Sequence, residues 1–216
     1  MARIPVLTTL VKDCWSNAYT SATVFSDLSR QNLEDVGSRW RNQVAERRAR
    51  AHALPGFENW EDQGWYWNWV EKYDRRTDQI RFPRYALEVE GYLEGLLYLI
   101  VGPDYVCRIA TQRDAQLVYV DLVATAPWNR DHPDGASPHY EGVGVSLVTQ
   151  AIFHSQTCGF SGRVGLHSIP TAEGFYRRCG MTQLEADRQY GHMVYFESTP
   201  EQSQLFLDKW AFRRTP

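Results

Sequence analysis

The chain has 216 residues, of which 43% are hydrophobic, and a formal net charge of -3. This length suits one domain with a packed core, and the acidic balance argues against a nucleic-acid partner, because nucleic-acid-binding surfaces are usually basic. No run approaches the roughly 20 apolar residues of a membrane-spanning helix, and the N-terminus lacks the apolar core of a signal peptide. We therefore expect a cytoplasmic protein with no membrane partner.

The cysteines are four isolated residues with neither a CxxC pair nor metal-ligand spacing. Scattered cysteines of this kind are typical of free thiols in a reducing compartment. The sequence therefore predicts no disulfide framework and no metal site.

Residues 1–80 predict a strand over residues 4–10 and an exposed helix over residues 33–53. The helix carries many arginines, which we interpret as a solvated face rather than a phosphate-binding stripe: Arg39, Arg41, Arg47, Arg48 and Arg50. Four tryptophans follow within ten residues, at positions 60, 65, 67 and 69. In a helix they would either pack on a sheet or form a wall of an acceptor pocket, since aromatic rings can cover an apolar or cationic group.

From residue 84 the pattern changes to alternating strands and helices. Two strands joined by a turn near Gly91 precede a third strand over residues 117–125, which Pro127 ends. A helix starting near Val143, a short strand, a short helix closed by Gly180 and two more strands complete the order β-β-β-α-β-α-β-β, typical of an α/β fold. A last helix begins after Thr199.

Gly142 and Gly144 flank one residue at the predicted start of the long helix. Glycines at a helix N-terminus let backbone N–H groups approach an anion, and the helix dipole favours a negative charge there. The third glycine of a dinucleotide fingerprint is absent, as is the Gly-Lys-Ser/Thr of a P-loop. The pair alone predicts only a tight turn or an anion site.

Two segments together resemble motifs of the GCN5-related N-acetyltransferases. The pyrophosphate loop of this family, Arg/Gln-x-x-Gly-x-Gly/Ala, resembles the segment His139-Tyr140-Glu141-Gly142-Val143-Gly144. A later family element, (Leu/Phe)-Tyr-x-x-x-Gly-Phe, resembles the segment Phe175-Tyr176-Arg177-Arg178-Cys179-Gly180-Met181. The strand that ends at Pro127 fits the fourth strand of the family.

This resemblance covers roughly residues 84–197 and implies an α/β fold with a mixed, mostly antiparallel central sheet flanked by helices. Residues 1–80 match the family only loosely and add an extended aromatic-rich N-terminal helical region. We therefore expect a single acetyltransferase-like domain, residues 1–216, with an acceptor side (1–80), an acetyl-CoA-binding core (84–197) and a C-terminal helix (199–216). The cofactor-binding residues that the resemblance implies are Val123, Ala124, Thr125, His139, Gly142, Val143, Gly144 and Val145.

The implied activity is transfer of an acetyl group from acetyl-CoA to an amine of a small molecule or peptide, by direct attack in a ternary complex. Such an attack needs a base for the amine proton, a donor for the oxyanion and an acid for the leaving thiolate. The resemblance places the acid at Tyr176 and the base at Asp121, a carboxylate within an apolar strand. For Asp121 a structural hydrogen bond is the alternative, and for Tyr176 it is packing.

Two departures from the family pattern keep other functions open. His139 replaces the usual Arg or Gln, and Ile169 replaces an asparagine that the family often uses. A catalytically degenerate module that binds CoA or a protein is therefore the main alternative, and a toxin-like enzyme acetylating aminoacyl-tRNA is disfavoured by the acidic balance. A homodimer is compatible with the sequence.

Overall fold

Nine strands and six α-helices make up the computed structural model, which describes residues 3–61 and 68–210. The strands are β1 (Pro5–Asp13), β2 (Tyr19–Ser26), β3 (Arg84–Val89), β4 (Tyr92–Ile100), β5 (Val118–Thr125), β6 (Tyr140–Glu141), β7 (Val164–Ser168), β8 (Thr182–Asp187) and β9 (Met193–Ser198). The helices are α1 (Arg30–Asp35), α2 (Arg41–His52), α3 (Trp69–Arg75), α4 (Val143–Thr157), α5 (Glu173–Arg178) and α6 (Pro200–Lys209).

All nine strands form one sheet in the order β6-β1-β2-β3-β4-β5-β7-β9-β8. Every neighbouring pair is antiparallel except β5 and β7, which are parallel. A parallel pair needs a crossover connection, and α4 supplies it between these two strands. The predicted mixed, mostly antiparallel sheet flanked by helices is therefore confirmed. From residue 84 the strands and helices follow the predicted order, except that the two-residue strand β6 before α4 was not predicted.

Helices cover both faces of the sheet. On one face, α4, α5 and α6 enclose a core that includes Leu147, Tyr176 and Phe206. On the other face, α1 to α3 pack over a second core that includes Trp40 and Trp69. The strand β4 is thus buried on both faces, which explains its nearly continuous apolar run.

The N-terminal half differs most from its prediction. The strand expected over residues 4–10 is the first arm of a hairpin whose second arm, β2, was not predicted, because its sequence YTSATVFS lacks a long apolar pattern. The helix expected over residues 33–53 is split into α1 and α2 by a π-helical turn, Val36–Trp40. Long-range pairing of β2 with both β1 and β3 stabilises a strand that its local sequence specifies weakly.

Part of the aromatic segment, including Trp65 and Trp67, lies outside the described residues, so its helical structure stays a prediction. Trp69 begins α3 and packs edge-on against Tyr98, with ring centroids 5.1 Å apart. At the C-terminus, Thr199 caps α6, and residues 211–216 lie outside the described range. None of the helices in the described residues combines the length and the apolar character that a membrane-spanning segment needs.

Gly95 in β4 sets how closely α4 approaches the sheet. A Cβ atom at this position would lie 2.8 Å from Cγ1 of Val143 and 2.9 Å from Cδ1 of Leu147. These distances are too short for real contacts, so a side chain at position 95 would push the first turns of α4 outward. The glycine therefore fixes the N-terminus of α4 against β4.

We predict that Gly95→Ala lowers the free energy of unfolding by about 1–3 kcal/mol, because overpacking forces neighbouring side chains out of place. Urea denaturation measures the change. Gly37→Ala is the matched control, since a Cβ at position 37 meets nothing within 4 Å and alanine suits a helical turn better than glycine. Equal stabilities of the two variants would contradict the close approach.

Candidate active site

The strands β5 and β7 diverge part-way along their length. Residues 118–120 of β5 pair with residues 164–166 of β7, and no further pair between the two strands occurs within the described part of the chain. On its other side, β5 stays paired with β4 as far as Thr125. The backbone of residues 121–125 is therefore free of a strand partner on the β7 side.

A β-bulge lies where the two strands diverge. In the β4–β5 ladder Tyr98 pairs with Leu122 and Leu99 pairs with Val120, which leaves Asp121 as the extra residue of β5. Bulges bend a strand and increase its twist, and they are frequent next to active sites. The bulge and the loss of the β7 partner together open a gap in the middle of the sheet.

A cavity of about 780 Å³ adjoins this gap. Its lining combines the end of β5, the start of α4, the helix α5 and the loop between β5 and α4. Among the lining residues are seven of the eight that the sequence predicted for the cofactor: Val123, Ala124, Thr125, Gly142, Val143, Gly144 and Val145.

The N-terminus of α4 opens on this cavity without a side-chain cap. The N-cap residue is Gly142, which has φ 99° and therefore needs glycine's freedom to adopt the left-handed region. Ser146 and Thr149 donate to the carbonyl oxygens of Gly142 and Val145. Within the described residues no side chain accepts from the N–H groups of the first turn, so these groups remain available to a ligand. A Cβ at Gly144 would lie 3.2 Å from Cζ of Phe175, which leaves little room for any side chain there.

Tyr176 lines the same cavity from α5. Its side chain is buried, with its ring 5.6 Å from that of Phe196, and its hydroxyl group has no hydrogen-bond partner among the described residues. Burial raises the pKa of Tyr176 above its ordinary value. The hydroxyl group therefore stays protonated at neutral pH and is free to donate a hydrogen bond to a ligand.

Asp121, the predicted catalytic base, forms two ion pairs with residues of α3 and its C-terminal end. Its Oδ2 accepts hydrogen bonds from Nζ of Lys72 at 2.8 Å and from Nη1 of Arg76 at 2.7 Å. Asp121 is not among the residues that line the cavity. The proposed catalytic base is thus an ion-pair partner that holds α3 over the bulge, and the structural alternative fits this geometry better.

His139 also lies apart from the cavity lining. Its imidazole ring stacks on Tyr140, with centroids 4.1 Å apart, and on Trp15, with centroids 4.6 Å apart. The imidazole thus lies between two aromatic rings, and the cofactor contact predicted for His139 stays a prediction.

The loop between β5 and α4 is anchored by Arg47 of α2, one of the arginines predicted to be solvated. Arg47 is only 3% exposed, and its guanidinium donates to the carbonyl oxygens of Arg130 at 3.3 Å and Asp131 at 2.7 Å. In return, Nε2 of His132 lies 2.8 Å from the carbonyl oxygen of Arg47, where an Nε2–H group donates to it. The sequence could not reveal this role, because the partners lie more than 80 residues away.

Glu94 is a buried carboxylate that the sequence reasoning missed. It is 3% exposed, and its Oε2 accepts hydrogen bonds from Nε1 of Trp128 at 2.7 Å and Nδ2 of Asn129 at 2.6 Å. Burial raises the pKa of Glu94 to about 7. Asn129 lines the cavity, so Glu94 supports its wall from behind. An acidic residue inside the apolar run of β4 was the available signal.

Metal ligands do not cluster in the described residues: no group of three or more His, Cys, Asp or Glu side chains there could hold an ion. The four cysteines are free.

No profile of a known protein family matches the sequence, and no curated protein is similar to it at a significant level. Solved structures do match the fold. FdhC, a nucleotide-linked sugar GNAT in its apo form, aligns with 99% of this chain and 100% of its own at a TM-score of 0.56 and 7% identity. The chain has the fold of the GCN5-related N-acetyltransferases.

Two further structures with this acetyltransferase fold cover most of the chain. FeeM, an N-acyl amino acid synthase from uncultured soil microbes, matches 87% of this chain and 96% of its own, with a TM-score of 0.51 and 14% identity. A yellow fever mosquito protein assigned as arylalkylamine N-acetyltransferase 7 matches 90% of this chain and 95% of its own, with a TM-score of 0.53 and 12% identity. At these identities the likeness establishes the acetyltransferase fold alone.

We predict that Glu94→Gln stabilises the protein more at high pH than at low pH. An unfolded glutamate loses its proton near its ordinary pKa of 4.5, whereas Glu94 in the native state keeps it up to about pH 7. Wild-type stability should therefore fall as pH rises from about 4.5 to about 7, and the neutral glutamine removes this fall. The variant should gain about 1–3 kcal/mol relative to wild type between about pH 5 and about pH 8.

Urea denaturation at a series of pH values measures this difference. Glu185→Gln, at an exposed position of β8, is the control and should show no such trend. A constant difference between Glu94→Gln and wild type across the series would mean that Glu94 is ionised in the native state throughout.

Proposed function

We propose that the protein is an acyl-CoA-dependent N-acetyltransferase that transfers an acetyl group to an amine. One observation carries the proposal: a single cavity is lined by the free edge of β5, the uncapped start of α4 and the buried Tyr176. These three elements come from separate parts of the chain, and each matches a need of acetyl transfer from a thioester.

The start of α4 suits the pyrophosphate of CoA. Its first turn has no side-chain cap, Gly142 is left-handed, and Phe175 leaves little room for a side chain at Gly144. Unpaired backbone N–H groups at a helix N-terminus bind phosphate oxygens, and the helix dipole adds a favourable potential. This arrangement needs no arginine at position 139, which explains how the site tolerates a histidine there.

The free edge of β5 suits the thioester. Residues 123–125 line the cavity and have no β7 partner. A backbone N–H group on such an edge can donate to the carbonyl oxygen of a thioester, and this bond strengthens when the oxygen becomes an oxyanion. The edge of β5 is therefore the proposed oxyanion donor.

The reaction forms a C–N bond between a neutral amine and the acetyl carbon and breaks the C–S bond to CoA. The amine gives up a proton, and the leaving sulfur acquires one. We assign Tyr176 as the hydrogen-bond donor to that sulfur, because its protonated hydroxyl group has no partner within the described structure. A thiol has an ordinary pKa near 8.5, well below that of a buried tyrosine, so Tyr176 stabilises the thiolate mainly by hydrogen bonding.

Trp60 and Glu61 bring an aromatic ring and a carboxylate to the cavity from the segment between α2 and α3. Both groups attract cations, and in this structure Arg47 lies over the Trp60 ring at 5.8 Å and Arg48 pairs with Glu61 at 3.5 Å. The acceptor is proposed to be an amine that approaches from this side in its ammonium form and releases one proton to water before the neutral amine attacks.

We predict that wild-type protein binds CoA and that Gly144→Glu weakens this binding by at least about 10-fold, because it adds a side chain and a negative charge at the phosphate position. Isothermal titration calorimetry measures both affinities. Gln156→Glu adds the same charge at an exposed position near the other end of α4 and serves as the control. Failure of the wild-type protein to bind CoA would refute the proposed function.

We predict that Tyr176→Phe lowers the rate of acetyl transfer by about 10²- to 10³-fold, the usual range for loss of one hydrogen-bond donor to charge that develops in the transition state. CoA affinity should change little, since the hydroxyl group acts mainly in the transition state. Release of free thiol from acetyl-CoA with a panel of amines measures the rate, with Tyr92→Phe, at an exposed position, as the control. CoA binding without thiol release for any amine would instead favour a degenerate binding module.

A further inference from the structure

The side chain of Trp15 is unusually exposed for a large aromatic residue. It lies in the turn between β1 and β2, and 79% of its surface is accessible. The turn itself is ordered by Asp13, whose Oδ1 accepts hydrogen bonds from the backbone N–H of Trp15 at 2.8 Å and of Ser16 at 3.1 Å. These hydrogen bonds fix the backbone of the turn, and the turn holds the Trp15 ring at the surface.

One face of the Trp15 ring is already in contact with other rings. His139 stacks beneath it at 4.6 Å with an interplanar angle of 20°, and Tyr140 stacks beneath His139 at 4.1 Å with an angle of 16°. Tyr140 lines the cavity. A column of three nearly parallel rings therefore runs from the cavity wall to the surface and ends on the open face of Trp15.

The column is tied directly to the start of α4. The strand β6 immediately precedes Gly142, and it pairs with β1 through Lys12–Glu141 and Asp13–Tyr140. The backbone N–H of Cys14 also donates to the carbonyl oxygen of His139 at 2.9 Å. Backbone hydrogen bonds between β1 and β6 thus connect the turn that carries Trp15 to the proposed phosphate site.

We propose that the open face of Trp15 stacks on the adenine ring of CoA. This inference rests on the proposed function, and it adds a binding site for the nucleotide half of the co-substrate. Only a ribose separates the adenine from the pyrophosphate, so the base must lie close to the start of α4. Every nucleobase offers a flat face, and stacking on an aromatic side chain favours its binding without the need for specific hydrogen bonds.

This assignment also gives His139 a function. At a family position that usually carries Arg or Gln, the imidazole fills the space between Tyr140 and Trp15 and so supports the outer ring from below. In place of a direct side-chain contact with the phosphates, the column provides a stacking surface for the adenine ring.

The test measures three ligands by calorimetry: CoA, its nucleotide half 3′-phospho-ADP, and 4′-phosphopantetheine, which lacks the adenosine. We expect Trp15→Ala to weaken CoA and 3′-phospho-ADP by the same factor, about 5- to 100-fold, and to leave 4′-phosphopantetheine unchanged. Trp15→Phe keeps a ring and should retain most of the affinity. Tyr92→Ala removes another exposed ring, 58% accessible, and should change none of the three affinities.

Three results would overturn the proposal. Unchanged CoA affinity in Trp15→Ala would place the adenine elsewhere, and equal weakening of all three ligands would show that Trp15 acts by shaping the start of α4. A fall in sedimentation coefficient in Trp15→Ala, from dimer to monomer, would show that the ring contacts a second copy. Each differs from failure of the proposed function, in which the wild-type protein would not bind CoA at all.

Discussion

The limited pairing of β5 with β7 is the constraint on which the site depends. Three residue pairs join these parallel strands before they diverge, whereas β5 keeps its ladder with β4 along its whole length. Had the pairing continued, the backbone of residues 121–125 would have been satisfied within the sheet, and no free edge would face the cavity. The fold therefore gives up strand pairing in the middle of a buried sheet, where such a loss is otherwise costly, and gains a backbone surface that can bind a ligand.

The two sides of this gap serve different purposes. On one face lie α4, α5 and the cavity, which is lined by the edge of β5 that lacks a β7 partner and by the buried Tyr176. On the other face the carboxylate of Asp121 forms ion pairs with Lys72, in α3, and with Arg76, the residue that follows α3. These ion pairs hold α3 against the sheet at the bulge. A part-buried carboxylate with two cationic partners is well satisfied. The bulge thus positions Asp121 to hold a helix while it exposes the following residues to the cavity.

The sequence was sufficient to predict the core of the fold and the backbone segments that line the cavity. Gly142, Gly144 and the strand before Pro127 have local signatures, because a left-handed residue, a close approach or a chain reversal restricts the residue type at that point. Side-chain roles proved harder. Asp121 and His139 were placed correctly on their elements. Their partners, Lys72 and Trp15, come from distant parts of the chain, so no local sequence pattern predicts these contacts. Glu94 was missed for a related reason: its significance lies in burial and in donors contributed by Trp128 and Asn129.

The attachment of the β5–α4 loop to α2 through Arg47 has a consequence for how the molecule responds to a ligand. The side chain of Arg47 donates to two carbonyl oxygens of the loop, and the side chain of His132, in the loop, donates to the carbonyl oxygen of Arg47. A ligand that orders the loop should therefore also order the middle of α2. Because linkage is reciprocal, ordering of α2 should likewise favour ligand binding. Amide protons of α2, although this helix contributes no residue to the cavity lining, should therefore exchange with solvent more slowly when the cavity is filled.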